Sequence, residues 1–140
     1  MAAGPAVERV MREHQDKVRL VVKFMPYKYR DFAFISAEAA LAAHEQGRFS
    51  EMHHLLLKVS PSLDRAHLIS YAKQIGLDGA VFTAALDSGK NAGVIQRDLA
   101  LSRKLDLFNT PTFFINGRKI VGNVPYEALR KVVLEELKRR

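Results

Sequence analysis

The chain has no cysteine among its 140 residues. Without a thiol it cannot form a disulfide, use a thiolate nucleophile, or ligate zinc or an iron–sulfur cluster through sulfur. It also has no apolar run near the roughly 18 residues that a membrane-spanning helix needs, so we expect no membrane span. The opening MAAGPAVERVMREHQ lacks a basic head followed by an apolar block, which excludes a secretory signal in this stretch.

Positive charge is in excess, with a formal net charge of +7. Much of it comes from the terminal KVVLEELKRR and from cations scattered between acids. No glycine-rich phosphate loop, zinc-finger spacing or aromatic-interleaved basic strand accompanies it, so we expect no nucleic-acid partner. The composition, 48% hydrophobic and 26% charged residues, is that of one ordinary globular domain over positions 1–140.

The first half of the chain alternates between helical and strand-like patterns. Apolar periodicity predicts a helix over Pro5–Gln15, and the β-branched run Val18–Phe24 predicts a strand that is largely buried. Asp78 suits a helix N-cap. Terminal glycines and a proline delimit further helices over 32–47, 48–59, 62–76, 77–89 and about 91–105, which together form a helical insertion at approximately 32–106.

The tail of the chain predicts a hairpin followed by a helix. PTFFI and RKIVG are joined by Asn116-Gly117, the strongest short hairpin signal, because both positions of a type I′ turn need positive φ. PYEALRKVVLEELKRR then predicts an amphipathic helix. Its inward face carries Tyr126, Leu129, Val133 and Leu137. The order of helix, strand, helical block, hairpin and helix gives an α/β class.

Histidines and serines do not form a convincing site. Adjacent His53 and His54 point about 100° apart on a helix and cannot readily share one ion. No carboxylate cluster accompanies His44, so we expect no metal site. No serine stands in the G-x-S-x-G setting of a nucleophile. Four aromatic residues could edge a groove, but we favour packing in the core or at its rim: Tyr27, Tyr29, Phe32 and Phe34.

In their order and spacing, these pieces are similar to the DsbA-like branch of the thioredoxin superfamily. KVRLVVKFMP resembles the family's second strand and its following proline, and ISAEAALAAHEQGRFSEMHHLLL and YAKQIGLDGAVFTAALDSG resemble its inserted helices. NTPTFFINGRKIVG resembles its cis-proline loop and hairpin. The resemblance spans nearly the whole chain. It implies a thioredoxin-like fold with a helical insertion, cysteine-containing polypeptide substrates, no cofactor and an extracytoplasmic address.

The loop around Thr110 and Pro111 is where the resemblance implies substrate binding. In that family Pro111 would follow a cis bond, a state found for about 5–6% of X–Pro bonds in folded proteins. Such a bond turns the Thr110 backbone outward, where an extended peptide can pair with it as an added strand. Thr110 and Pro111 are therefore the expected substrate-binding residues. The alternative is a proline that merely begins a strand.

The family's Cys-x-x-Cys motif has no counterpart in this chain. By the resemblance it would end a first strand and open the helix near Pro5, where the helix N-terminus lowers a cysteine pKa. Only MAAG precedes that helix, so the chain has no catalytic residue, and whether it is an enzyme is left open. Thiol–disulfide exchange needs a sulfur that forms the mixed disulfide. We expect a truncated sequence whose natural product begins upstream.

In a thioredoxin-type sheet the missing first strand would lie between Val18–Phe24 and Thr112–Ile115. Both strands would then keep unpaired edges, which favour homo-oligomers. Three functions remain open. The first is a DsbA-like thiol–disulfide oxidoreductase or isomerase domain that is redox-inactive as written. The others are a non-catalytic peptide-binding thioredoxin-like module and a glutathione-binding protein of the kappa-transferase type.

Overall fold

A computed structural model describes residues 3–139. All the predicted helices and the hairpin are present, with ends shifted by a few residues. The elements in chain order are α1 Ala3–Glu13, α2 Ala33–Glu45, α3 Phe49–Val59, α4 Arg65–Gln74, α5 Gly79–Ser88, α6 Ala92–Lys104, β1 Thr112–Ile115, β2 Arg118–Val121 and α7 Tyr126–Lys138.

The strand predicted over Val18–Phe24 is wrong. Residues 18–27 form neither helix nor strand, and the sheet of the described residues contains β1 and β2. Between positions 19 and 26, no backbone group bonds to another backbone group of the described chain. A strand exists through ladder bonds to a neighbour, and no described strand supplies them here. The predicted burial is wrong too, because Val21 is 60% exposed.

Residue contacts divide the chain into two compact units. Unit 1 comprises the two ends of the chain, up to Val22 and from Asp106, and unit 2 is Lys23–Leu105. The limits of unit 2 lie close to the helical insertion predicted at approximately 32–106. The organisation of positions 1–140 as a single domain stays a prediction.

Unit 2 is a helical unit with a well-buried core. Helix α2 contributes alanines, whose small side chains let neighbouring helices approach closely. Met52, Leu68 and Phe82 fill the space between them and are fully buried. Asp78 caps α5 as predicted, since its carboxylate accepts hydrogen bonds from the N–H groups of Ala80 and Val81.

Unit 1 packs α1, α7 and one face of the hairpin together. Val10, Leu129 and Val133 are its buried centre. The inward face predicted for α7 is confirmed, because Tyr126 and Leu137 pack against that centre as well. The other partly buried side chains around it are Val7, Val18, Phe113, Ile115, Ile120 and Val124.

Candidate functional site

The loop that precedes β1 is tied to the hairpin by two hydrogen bonds. The Thr110–Pro111 peptide bond is cis. The Thr112 hydroxyl donates to the Asn109 carbonyl at 2.7 Å, and the Gly122 N–H donates to the Pro111 carbonyl at 2.8 Å. Thr110 is exposed and Pro111 half-buried. The two residues expected to bind substrate therefore lie on a closed loop at the start of β1.

The register of the hairpin shows which backbone groups of β1 form no hydrogen bond with β2. Asn116 and Gly117 have φ values of 47° and 87°, as a two-residue type I′ turn requires. The facing pairs run from Ile115 with Arg118 to Thr112 with Val121. Residues of an antiparallel strand direct their backbone groups alternately toward and away from the partner.

The bond between Gly122 and Pro111 fixes the phase of that alternation. Pro111, Phe113 and Ile115 face β2 with their backbone groups. The N–H and C=O groups of Thr112 and Phe114 therefore point to the opposite edge of β1. We call this the β1 free edge, and no described strand pairs with it.

The two faces of the hairpin differ in burial. Phe113 and Ile115 pack into the unit 1 core. Phe114 lies on the other face and is 45% exposed, and Val121, also on that face, is 50% exposed. Phe108, just before the loop, is 78% exposed. The β1 free edge thus borders an accessible apolar surface.

The outer edge of β2 is protected. Lys119 lies opposite Phe114 and, by the same alternation, directs its backbone groups away from β1. A lysine at a strand edge opposes pairing with another chain, because its charge would be desolvated. Arg118 is held by ion pairs with Glu135 and Glu136 of α7. Of the two hairpin edges, that of β1 is therefore the better suited to pairing with another strand.

A second stretch of unpaired backbone lies in the same unit, at Arg19–Val22. Leu20 and Val21 are 49% and 60% exposed. A hollow of about 530 Å³ lies beside this stretch, lined by Met11 and residues 15–20. Val18 packs into the same core as Phe113, so the stretch starts at the core that supports β1.

Helices α1 and α7 are joined by an exposed polar cluster around Glu13. The Tyr126 hydroxyl donates to the Glu13 carboxylate, and Arg9 Nε donates to it at 3.0 Å. The Arg9 guanidinium also lies 3.8 Å from the centre of the Tyr126 ring. The hydrogen bond from Tyr126, together with Arg9, holds the pKa of Glu13 below its usual range. Burial and the same bond raise the pKa of Tyr126.

Three histidines of unit 2 are placed by ring packing or by a bond to a helix-capping aspartate. His53 stacks on Phe49 with ring centres 5.4 Å apart, and His44 meets the same ring edge-on at 6.1 Å. His67 bonds to Asp64, which lowers the pKa of that carboxyl. Within residues 3–139, no group of three or more metal-ligating side chains comes together.

Two of the four aromatic residues assigned to packing are largely exposed. Tyr27 and Tyr29 stack with their rings 5.2 Å apart, but Tyr29 is 75% exposed. Phe32 is 47% exposed and has a φ of 63°. Tyr29 and Phe32 therefore do not lie in the core, and for these two the predicted packing could only be at its rim. Phe34 is half-buried.

Sequence reasoning missed Asp98 of α6. Its buried carboxylate accepts hydrogen bonds from Lys23 Nζ at 2.9 Å and from the Phe24 N–H at 3.0 Å. These bonds fix the first residues of unit 2 to α6. An aspartate on the apolar face of a helix was the available signal, because a buried carboxylate needs partners. Its partners lie more than seventy positions earlier, which apolar periodicity cannot reveal.

Comparisons with known proteins agree with this architecture. A family model described as thioredoxin matches residues 3–135. The solved structure of a thioredoxin-like oxidoreductase from Silicibacter pomeroyi superposes with a TM-score of 0.77 and 27% identity, covering 98% of this chain and 82% of that one. The thiol–disulfide exchange protein α-DsbA2 from Wolbachia pipientis gives 0.84 at 21% identity, covering 94% and 72%.

A different name comes from the curated relatives. The Na⁺/H⁺ antiporter NhaA 3 of Salinispora tropica is 38% identical over 133 residues, which are 94% of this chain and 20% of the antiporter. The chain thus spans about a fifth of the length of the curated relatives that it matches. Within residues 3–139, no helix is both long and apolar enough to cross a bilayer.

The family model covers nearly the whole chain, and the solved structures reproduce its fold over nearly the same length. The helical insertion, the loop before β1 and the closing hairpin and helix occur in the order expected for that fold. The chain belongs to the thioredoxin family, and its fold is the DsbA-like one.

Proposed function

We propose that this chain is a DsbA-like polypeptide-binding domain that performs no thiol–disulfide exchange on its own. It binds an extended polypeptide as an added strand. Thr110, Pro111 and the β1 free edge form the binding site. The observation that carries the proposal is the outward direction of the Thr112 and Phe114 backbone groups beside an exposed apolar surface. Main-chain bonds to a sheet edge give affinity for many sequences, as an oxidoreductase scaffold needs.

The chemistry of this chain is limited by its lack of sulfur. The mixed disulfide of thiol exchange needs an attacking thiolate, and this sequence contains no cysteine. The chain therefore contributes the peptide-binding site, and any thiol that reacts lies outside these 140 residues. The family resemblance supports cysteine-containing polypeptides as the bound class and an address outside the cytoplasm.

The site is tested with two proline variants of one cross-strand pair. Phe114→Pro removes an N–H that points to the β1 free edge, and Lys119→Pro removes the outward N–H directly opposite, on β2. We expect binding of a fluorescent, extended octapeptide without charged side chains, measured by anisotropy, to fall more than roughly tenfold in Phe114→Pro, a loss of about 1.4 kcal/mol. Lys119→Pro should bind this uncharged peptide like the wild type.

Two further measurements control for loss of the Phe114 ring and for disruption of the hairpin. Phe114→Ala keeps the N–H and removes the ring, so it separates main-chain from side-chain contributions. Amide chemical shifts of β2 report whether either proline disturbs the hairpin. Equal loss of binding in Phe114→Pro and Lys119→Pro, with both hairpins intact, would contradict strand addition at β1.

Catalysis is tested separately. The purified chain should neither reduce insulin disulfides nor oxidise peptide thiols, and measurable turnover would overturn the assignment. The glutathione-binding alternative predicts a rise in melting temperature in millimolar glutathione. An unchanged melting temperature removes that alternative.

A second candidate function is supported by the curated relatives. We propose that the chain works as an accessory domain of an Na⁺/H⁺ antiporter, because the match covers 94% of this chain and a fifth of the Salinispora tropica antiporter. The test removes the matched fifth from that antiporter and measures Na⁺-driven proton movement in everted vesicles. The deletion should change the rate of Na⁺-driven proton movement, and addition of this chain should restore that rate. If neither the deletion nor the addition changes the rate, the proposal is refuted.

A further inference from the structure

Unit 1 carries three exposed cations on its hairpin and beside its irregular stretch. Lys17 and Arg19 are exposed on either side of Val18 and line the 530 Å³ hollow. Lys119 faces Phe114 across the hairpin, and facing side chains in an antiparallel pair have Cβ atoms only about 5 Å apart. None of these three cations has a carboxylate partner within residues 3–139.

Three carboxylates of the packed helices are engaged elsewhere. Glu13 binds Tyr126 and Arg9, and Glu135 and Glu136 bind Arg118. Asp16 is the one carboxylate in the lining of the hollow, which also includes two cations, Lys17 and Arg19. The open side of unit 1 is therefore left with an excess of positive charge.

We propose that the polypeptide bound at the β1 free edge is acidic, with Asp or Glu alternating with apolar residues. This inference rests on the proposed function and adds a substrate class to it. In a strand, alternate side chains point to opposite sides. The apolar side chains of such a ligand would cover Phe114, and its carboxylates would lie near Lys119, which faces Phe114. Lys17 and Arg19 of the same unit would add to the attraction at separations up to about a Debye length, roughly 8 Å.

A second copy of this chain fits the same edges less well. If the second copy docked through its own unpaired stretch at Arg19–Val22, it would bring another Lys17 and Arg19 to the site. Like charges that face each other across strands are destabilising. A nucleic acid fits less well too. A strand edge offers C=O acceptors as well as N–H donors, and a phosphate backbone can use the donors only. An acidic strand satisfies both the backbone groups and the cations.

The experiment compares three labelled octapeptides in which valine alternates with Glu, Gln or Lys. Anisotropy at low salt should show the Glu peptide binding roughly tenfold more tightly than the Gln peptide, as expected for several exposed charge pairs, and the Lys peptide binding most weakly. The difference should disappear near 1 M salt, where the Debye length is about 3 Å.

Matched variants locate the effect. Lys17→Gln/Arg19→Gln should lose most of the preference for Glu over Gln, keep the part that Lys119 supports, and still bind the Gln peptide. Lys131→Gln/Lys138→Gln removes the same charge from the exposed side of α7 and should keep the preference. Equal loss in both pairs would mean that net charge, and not this edge, selects the ligand, which overturns the inference.

Other outcomes are equally decisive. Equal binding of the three peptides to the wild type would refute the acidic class and leave the proposed function standing. Failure of every peptide, including the Gln peptide, would refute both. Displacement of the Glu peptide by single-stranded RNA at lower concentration than by unlabelled Glu peptide would assign the edge to nucleic acid and overturn the inference.

Discussion

Units 1 and 2 differ in how completely their secondary structure is satisfied. Unit 2 is made of helices, whose backbone bonds are internal, and Phe82 is fully buried at its centre. Unit 1 has a smaller centre at Val10, Leu129 and Val133, a two-stranded hairpin with a free edge, and an irregular stretch with exposed valines. The backbone groups that could bind a partner are therefore in the less buried unit, where opening and pairing disrupt fewer contacts.

The largest expected effect is in the core of unit 2. Phe82→Ala should lower the free energy of unfolding by about 3–5 kcal/mol, because it leaves a large cavity among residues that cannot collapse onto it. The matched control in unit 1 is Phe108→Ala, whose ring is 78% exposed and which should stay within about 0.5 kcal/mol of the wild type. Urea unfolding of both variants checks the contrast, which equal losses would contradict.

Asp98→Ala should produce the next effect, a loss of about 1–3 kcal/mol in urea unfolding. The reason is that the Phe24 N–H loses its carboxylate acceptor in a poorly solvated place. Lys23→Ala keeps that acceptor and removes a side chain that is 59% exposed, so it should cost less than about 1 kcal/mol. A larger loss in Lys23→Ala than in Asp98→Ala would show that the ion pair, and not the backbone bond, anchors this segment.

Glu38 of α2 should respond to pH in the opposite sense to most carboxylates. Burial raises the pKa of Glu38, so the folded state disfavours its charged form above the unfolded pKa of about 4.3. Glu38→Gln should therefore raise the melting temperature at pH 7, and the gain should vanish below about pH 4. The matched control is Glu51→Gln. Hydrogen bonds from the backbone of Glu51 itself and from the Arg48 side chain lower the pKa of Glu51. Glu51→Gln should therefore not stabilise the protein at pH 7.

The smallest effect is expected at the exposed Glu13 cluster of unit 1. The pKa of Glu13 is lowered, so its contribution is present above the unfolded pKa and is lost as pH falls through the folded one. Glu13→Gln should therefore lower the melting temperature slightly at pH 7, and the difference should close as pH falls below about 4. Glu127→Gln, at an exposed position on α7, is the control. A loss that persists at low pH would mean that packing and not charge joins α1 to α7.

Elements specified by neighbouring residues could be predicted from sequence. The Asn116-Gly117 turn needs two positive φ values, and these two residues adopt them at little cost. Asp78 caps the helix that begins next to it. The strand predicted over Val18–Phe24 was wrong for the opposite reason, because a strand needs a partner strand and the local sequence does not show whether one is present. The bond of Asp98 with Phe24 and that of Tyr126 with Glu13 join residues that are far apart in sequence, so no local pattern indicates them.

The tight hairpin turn has a consequence for the entropy of binding. Ordering the backbone of one residue costs about 1–2 kcal/mol. The turn and the ladder with β2 hold Thr112 and Phe114 in extended form before any ligand arrives. An incoming peptide would therefore immobilise only its own backbone, which leaves more of each main-chain hydrogen bond available as net affinity.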